Sequence, residues 1–232
     1  RTDVGIFDLS SFGKILVQGK DVVTFLQKTC AGNIDVEVGK IVYTQILNQR
    51  GGIECDLTVS RLNPHEFLLV VPCATLQRDL NTLKKNLQLN ESVVITNVSS
   101  SEAVLGIMGP NSRKVMSSIS PNSFSNEDHP FGFWRDIEVG SGLVRAHRVS
   151  YVGELGWELY VSSDQAEHVF ETILALRDTI PFQLCGMHTL DSCRIEKAYR
   201  HFGHDITDED HILEAGLGSV VNLKKGDFIG RD

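Results

Sequence analysis

Two apolar runs, residues 53–62 and 67–71, are separated by little more than Asn63-Pro64-His65. Proline and asparagine between runs rich in Val, Leu and Phe read as a β-hairpin. A hairpin fixes antiparallel pairing and takes its two strands out of any parallel crossover unit. The rest of the chain repeats the theme. Strands are predicted at 14–17, 41–47, 93–98, 103–108, 134–139, 143–151 and 157–161. A helix capped by Asp21 carries Val22, Val23, Phe25 and Leu26. Leu76, Leu80, Leu83 and Leu87 follow helical spacing. Gly109-Pro110 opens a third helix, Asp164-x-x-Glu167 a fourth with Val169, Phe170, Ile173 and Leu174 inward, and 186–199 forms a fifth. Strands in pairs between single helices predict an α+β fold with antiparallel or mixed sheets. No GxGxxG follows a strand and no GxxxxGK[ST] occurs, so neither a dinucleotide fold nor a P-loop is indicated.

The 232 residues allow one large or two small domains. The Ser-, Asn- and Pro-rich stretch 121–130 is the expected boundary, dividing the chain into 1–122 and 123–232. The tail 201–214 reads as polar loop. A net charge of −8 disfavours nucleic acid, whose phosphates need clustered Lys and Arg. No apolar run approaches the ~20 residues of a membrane helix. Five cysteines, odd in number and without a CxxC, read as reduced thiols. His201, His204 and His211 are the only close histidines; they lack helical spacing and read as loop residues, with no metal site expected. Both ends of the chain read as cuts through a longer polypeptide.

Three segments carry candidate chemistry. In Arg50-Gly51-Gly52-Ile53-Glu54-Cys55-Asp56-Leu57-Thr58-Val59, a paired-glycine turn feeds a strand. Alternation puts Asp56 and Thr58 on one face, Leu57 and Val59 on the other. A carboxylate entering a half-buried strand needs compensating donors. In Ser150-Tyr151-Val152-Gly153-Glu154-Leu155-Gly156-Trp157-Glu158-Leu159, Tyr151 is expected to end one strand, and Glu158 enters an apolar one. In Leu190-Asp191-Ser192-Cys193-Arg194-Ile195-Glu196-Lys197, Asp191 and Arg194 share a helical face. Each has a plain structural reading: a loop-bonding Asp56, a core phenol for Tyr151, a surface ion pair for Arg194.

Taken together, Gly51-Gly52-x-x-x-Asp56-Leu57, Tyr151-x-Gly153-Glu154-x-Gly156-x-Glu158 and Arg194-x-Glu196 resemble the aminomethyltransferase family, the T-protein of glycine cleavage and its folate-binding relatives. Phe7-Asp8-Leu9-Ser10 and Gly109-Pro110 agree, so the resemblance covers almost the whole chain. Tyr43-Thr44-x-x-Leu47-Asn48, Asp56-Leu57-Thr58-Val59-Ser60-Arg61, Gly153-Glu154-Leu155-Gly156-Trp157-Glu158-Leu159 and Ile195-Glu196-Lys197-Ala198-Tyr199-Arg200 resemble more closely the carboxy-terminal half of sarcosine and dimethylglycine dehydrogenases.

That resemblance implies the T-protein fold: two interlocked subdomains with a folate-sized cavity. It implies Asp56 as the carboxylate near N10 of tetrahydrofolate, Tyr43 as an aromatic lining the cofactor and Glu158 as the acid on the pterin. Tyr151 becomes a reaction-chamber residue, and Arg194 an arginine ordering carboxylates and cofactor. The implied activity turns an iminium, made by an upstream FAD domain from a methylated amine, into 5,10-methylenetetrahydrofolate. Small-molecule folate and amine, with a flavin domain in cis, are then the partners, and the mitochondrial matrix or a bacterial cytoplasm the setting. A standalone aminomethyltransferase and a non-catalytic relative are the alternatives. Departures are Cys55 where the family often has another acid, Pro72-Cys73 for Asn-Ala, and His211-Ile212-Leu213-Glu214 for a Thr-x-Pro segment. The family's small β-barrel would lie downstream.

Overall fold

The computed structural model describes residues 1–231. In chain order the elements are β1 (Gly5–Asp8), β2 (Gly13–Gln18), α1 (Val22–Thr29), β3 (Ile41–Leu47), β4 (Ile53–Asn63), β5 (Glu66–Val71), α2 (Leu76–Asn86) and β6 (Val94–Asn97). They continue with β7 (Glu102–Met108), α3 (Ser112–Ile119), β8 (Trp134–Val139), β9 (Gly142–His147), β10 (Gly156–Ser162), α4 (Ala166–Leu174), β11 (Gln183–Cys185) and α5 (Met187–Glu196). The α+β class and the hairpin β4–β5 stand as predicted.

The chain divides into two units, and not where composition placed the boundary. One unit combines Arg1–Ser11 with Ser100–Tyr199; the other combines Phe12–Ser99 with the segment from Arg200 onward. The expected split into 1–122 and 123–232 is therefore corrected. Pairing is the cause: β1 lies between β11 and β7, so the first residues belong with a strand some 175 residues later. The 121–130 stretch is no linker. Phe124 is buried with its ring edge-on to Trp157 at 5.6 Å, and the Trp157 indole Nε1 donates to His129 Nδ1 at 3.3 Å. Two anchored rings hold a segment whose Ser, Asn and Pro content alone suggested a surface connection.

The first unit is a six-stranded sheet in the order β11-β1-β7-β10-β9-β8. Only β1–β11 is parallel; the other pairings are antiparallel. Leu105 and Ile107 of β7 and Trp157, Leu159 and Val161 of β10 share a core with Val115, Met116, Ile119, Val169 and Ile173 of α3 and α4. Period-2 alternation turns Glu158 and Tyr160 to the opposite face. The second unit is a five-stranded, all-antiparallel sheet, β3-β4-β5-β2-β6. Cys55, Leu57 and Val59 of β4 pack with Phe25, Leu26, Leu80 and Leu83 of α1 and α2. That packing pins register, because a one-residue slip would turn Asp56 into the apolar face under α1 and α2 and turn Leu57 away from it.

Three local expectations need correction. The Asp21 side chain does not cap α1; its Oδ2 accepts from the Ser92 amide at 2.8 Å. The tail beyond Arg200 is not simply polar loop: Phe202, Ile206, Ile212 and Phe228 form a core with Ala31, Leu47 and Ile53. The strand expected to run to Tyr151 ends at His147, because the Val149 amide turns back onto His147 O at 3.0 Å. Tyr151 thus lies in the loop before β10. Among the described residues no helix is long and apolar enough to cross a membrane.

Candidate active site

The paired glycines before β4 have separate geometric reasons. Gly51 adopts φ +79°, and a Cβ there would meet the His211 ring at 2.6 Å. At Gly52 a Cβ would stand 2.4 Å from Asp208 O, closer than any side chain tolerates. The turn therefore closes against the 208–211 segment, and Gly52 bridges His211. From it β4 emerges with Asp56 aligned opposite Gln45 of β3, and Thr58 opposite Tyr43.

Asp56 meets the donors its burial demands. Gln45 Nε2 donates to Asp56 Oδ1 at 2.8 Å, and the Tyr43 hydroxyl also hydrogen-bonds the carboxyl. Burial pushes the Asp56 carboxyl above the ordinary aspartate range, against the opposing pull of Tyr43, Gln45 and the His201 charge. Gln45 itself is fully buried, and its Oε1 has no hydrogen-bond partner. Sequence reasoning passed over Gln45. Pairing 41–47 against 53–62 in register would have found it, since the partner of a strand carboxylate is the residue across the ladder.

Glu158 belongs to the first unit. It is 8% exposed on β10 and accepts from the Tyr160 hydroxyl at 3.0 Å. His147 of β9 sits directly across from it and stacks on the Tyr160 ring at 4.1 Å. Burial raises the Glu158 carboxyl to about 7, with the Tyr160 bond opposing. Burial and the neighbouring Arg145 charge hold His147 neutral, well below its usual range. One hydroxyl satisfies only part of the carboxyl's acceptor capacity, and the remainder matches a pair of adjacent N–H donors such as a pterin edge presents. By that test Glu158 fits the group the sequence implied.

Tyr151 and Arg194 converge on one residue of the same unit. The Tyr151 ring lies 6.3 Å from that of Tyr199, nearly parallel at 18°. Arg194 is 2% exposed; its Nε donates to Asp191 Oδ1 at 2.7 Å and its Nη1 to Tyr199 O at 3.0 Å. The Asp191–Arg194 pair expected on the helix surface is thus half buried, and it fastens the end of α5. Helix α5 stops at Glu196 rather than Tyr199 because Ala198 takes the left-handed conformation, φ +57°. Among the five expected site residues, Asp56 and Tyr43 touch; Glu158 does not join Tyr151 or Arg194 through any of these contacts.

An open cavity of about 500 Å³ in the second unit is lined by Leu47, Asn48, Glu54, Lys85, Phe228 and Arg231, among others, and includes none of the five. Among the described residues no three His, Cys, Asp or Glu side chains gather as metal ligands. His201 and His204 lie ring against ring at 4.3 Å, while His211 Nδ1 accepts from the Leu213 amide.

Comparison with known proteins identifies the family. The model of the GCVT N-terminal domain matches residues 1–225. The chain is 40% identical over its whole length to 4-methylaminobutanoate oxidase (formaldehyde-forming) of Paenarthrobacter nicotinovorans, spanning 28% of that protein. It is 33% identical to mitochondrial dimethylglycine dehydrogenase of Rattus norvegicus, with 98% of the chain covering 27% of the relative. The crystal structure of glycine cleavage system aminomethyltransferase T from Bartonella henselae superposes with a TM-score of 0.87 at 26% identity, over 99% of this chain and 62% of that one. The chain thus spans between a quarter and two thirds of these proteins.

Proposed function

The chain belongs to the GCVT N-terminal domain family, and from that premise we propose that it is the tetrahydrofolate-binding, one-carbon-accepting part of a flavin-linked N-methyl amine dehydrogenase. The observation that carries this reading is Asp56: a strand carboxyl held by Gln45 and Tyr43 with its proton affinity raised by burial. A carboxylate so held is a stronger base than a solvent-exposed aspartate, as a general base requires.

Bound tetrahydrofolate supplies the nitrogens that accept the carbon. Asp56 would be the residue placed to accept a proton from N10. Gln45 and Tyr43 hold the acceptor oxygens in place. Glu158 would hold the paired N–H donors of the pterin, with the Tyr160 hydroxyl fixing the orientation of its carboxyl. Tyr151 shapes the chamber around the reacting carbon. Arg194 acts through the end of α5, holding Tyr199 against Tyr151. Keeping the acceptor beside a transient iminium contributes proximity and limits the escape of free formaldehyde.

A flavin domain in cis is supported by relatives several times this chain's length, one of them named as an oxidase and one as a dehydrogenase. Reduced thiols suit the mitochondrial matrix or a bacterial cytoplasm. A second reading, a standalone aminomethyltransferase drawing its carbon from a lipoyl-bound carrier protein, is favoured by the close superposition on aminomethyltransferase T.

Titration of tetrahydrofolate into the full polypeptide tests the common core of both readings. The unaltered protein binds; Glu158→Ala loses ten-fold or more in affinity, the scale of a lost charge-assisted pair. Asp56→Asn binds but transfers the one-carbon unit at least ~10²-fold more slowly. Absence of binding by the unaltered protein overturns the reading. Flavin absorbance in the full-length protein, with N-methyl amine oxidation, separates the first version from the second.

A further inference from the structure

His147 stands directly across the β9–β10 ladder from Glu158. Val144 and Ala146 of β9, with Trp157 and Leu159 of β10, lie in the core of the first unit. Alternation therefore gathers His147, Glu158 and Tyr160 on the other face of the sheet. His147 is 1% exposed, and the one-carbon chemistry gives it no task. Its ring stacks on that of Tyr160 at 4.1 Å with 30° between the planes, and the Tyr160 hydroxyl donates to Glu158 Oε2 at 3.0 Å. A phenyl ring would stack as well. The imidazole adds two nitrogens, and Nε2 is buried with no hydrogen-bond partner. An unpaired buried nitrogen is costly, and a native fold keeps one where it has a use.

We propose that His147 is a specificity-determining residue for the ring that Glu158 holds: its Nε2–H donates to the ring carbonyl adjoining the paired N–H donors. The inference rests on the folate reading of Glu158. It deepens that reading by naming the full edge that is recognised, an amino group, a ring N–H and a carbonyl in a row.

Reading such an edge takes two acceptors and one donor. A carboxylate accepts and cannot donate, so Glu158 serves the two N–H groups and needs a neighbour for the carbonyl. Residues directly opposite in an antiparallel pair have Cβ atoms about 4.5–5.5 Å apart, which sets the His147 ring beside the Glu158 carboxyl. Burial and the Arg145 charge hold His147 neutral, so the imidazole offers one N–H without adding a charge beside the acid. Arg145 is the other donor on this face, and its Nη1 is also unpartnered. It lies one residue pair further along, opposite Tyr160. Its guanidinium is fixed there by Glu102 and lies 6.0 Å from the Tyr160 and Trp134 ring centroids. The place next to Glu158 thus falls to His147.

The test joins ¹⁵N NMR of the histidine ring nitrogens in the full polypeptide to calorimetric titration with tetrahydrofolate and with tetrahydropterin, the ring without its tail. The His147 signals are assigned by difference from His147→Phe or, should that variant fail to fold, from His147→Gln. On saturation with tetrahydrofolate the His147 Nε2 signal shifts as its N–H gains an acceptor. His147→Phe keeps the stack on Tyr160 and loses about three- to ten-fold in affinity, the scale of one neutral hydrogen bond. The loss is the same factor for both ligands, because His147 acts on the ring. An Nε2 signal unmoved at saturation, or a folded His147→Phe that binds as tightly as the unaltered protein, overturns the proposal and leaves the folate reading standing. Failure of the unaltered protein to bind either ligand removes the folate reading and this inference with it.

Discussion

Glu158 shows how one residue joins stability to function. Its carboxyl sits in a strand among Trp157, Leu159 and Val161 and accepts from the Tyr160 hydroxyl, and burial raises it from the usual glutamate range to about 7. A carboxyl raised on folding contributes most below its unfolded value, and the contribution is lost as pH climbs through the folded one. Over that window the loss is on the order of 3 kcal/mol. Glu158→Gln is therefore expected to flatten the pH dependence, leaving the ligand-free protein more stable than the unaltered one at about pH 8 and similar at about pH 4. Urea denaturation at the two pH values checks it; a pH dependence unchanged by the substitution would refute it. The same variant binds folate more weakly, because a carboxamide cannot accept two N–H donors side by side. Asp56 was legible in the sequence because a charge in an alternating strand is conspicuous. Gln45 was not, since a neutral amide in a β-strand stands out only once register is known.

At the scale of elements, the glycine turn and the end of α5 each hinge on one backbone conformation. Gly52→Ala forces a methyl to within 2.4 Å of Asp208 O, so the turn must part from the 208–211 segment. A loss of about 2 kcal/mol or more is expected, with the Asp56 environment disturbed. Thermal unfolding measures the first, folate affinity the second. Ala198 carries the opposite opportunity. It is the only non-glycine with positive φ among the described residues, φ +57°, and Ala198→Gly should stabilise the protein by up to ~1 kcal/mol. An unchanged or lowered midpoint in that variant would show that the cap geometry is not strained. The strands were readable because period-2 alternation survives in single sequences, and hairpin β4–β5 carries its own punctuation. Helix ends were less so. Asp21 is a good cap by residue type, yet its carboxylate is drawn to the Ser92 amide, a partner 71 residues away that no local pattern reveals.

At the scale of the whole molecule, family and fold class were legible while the division of the chain was not. Composition pointed to 121–130, yet that stretch is held by Phe124 and His129 against Trp157. Both units are discontinuous, each drawing one piece from either side of the other in sequence. A fragment of residues 1–122 would keep β7 without β10, β1 without β11, and Leu47 and Ile53 without Phe202, Ile212 and Phe228. Expressed alone, it is expected to show no cooperative thermal transition and to aggregate through its open sheet edges. A sharp transition and a monodisperse monomer would contradict this.

The pairing of β1 with β11, Gly5 against Gln183, also sets a timetable. During synthesis at roughly 5–20 residues per second, β1 leaves the ribosome on the order of ten seconds or more before its parallel partner exists. Until then Ile6 and Phe7, both buried in the finished protein, have no completed sheet to enter. Strand β1 stays without its parallel partner while the roughly 175 residues between them are made. The exposure of Ile6 and Phe7 is thus relieved on that side only as β11 emerges.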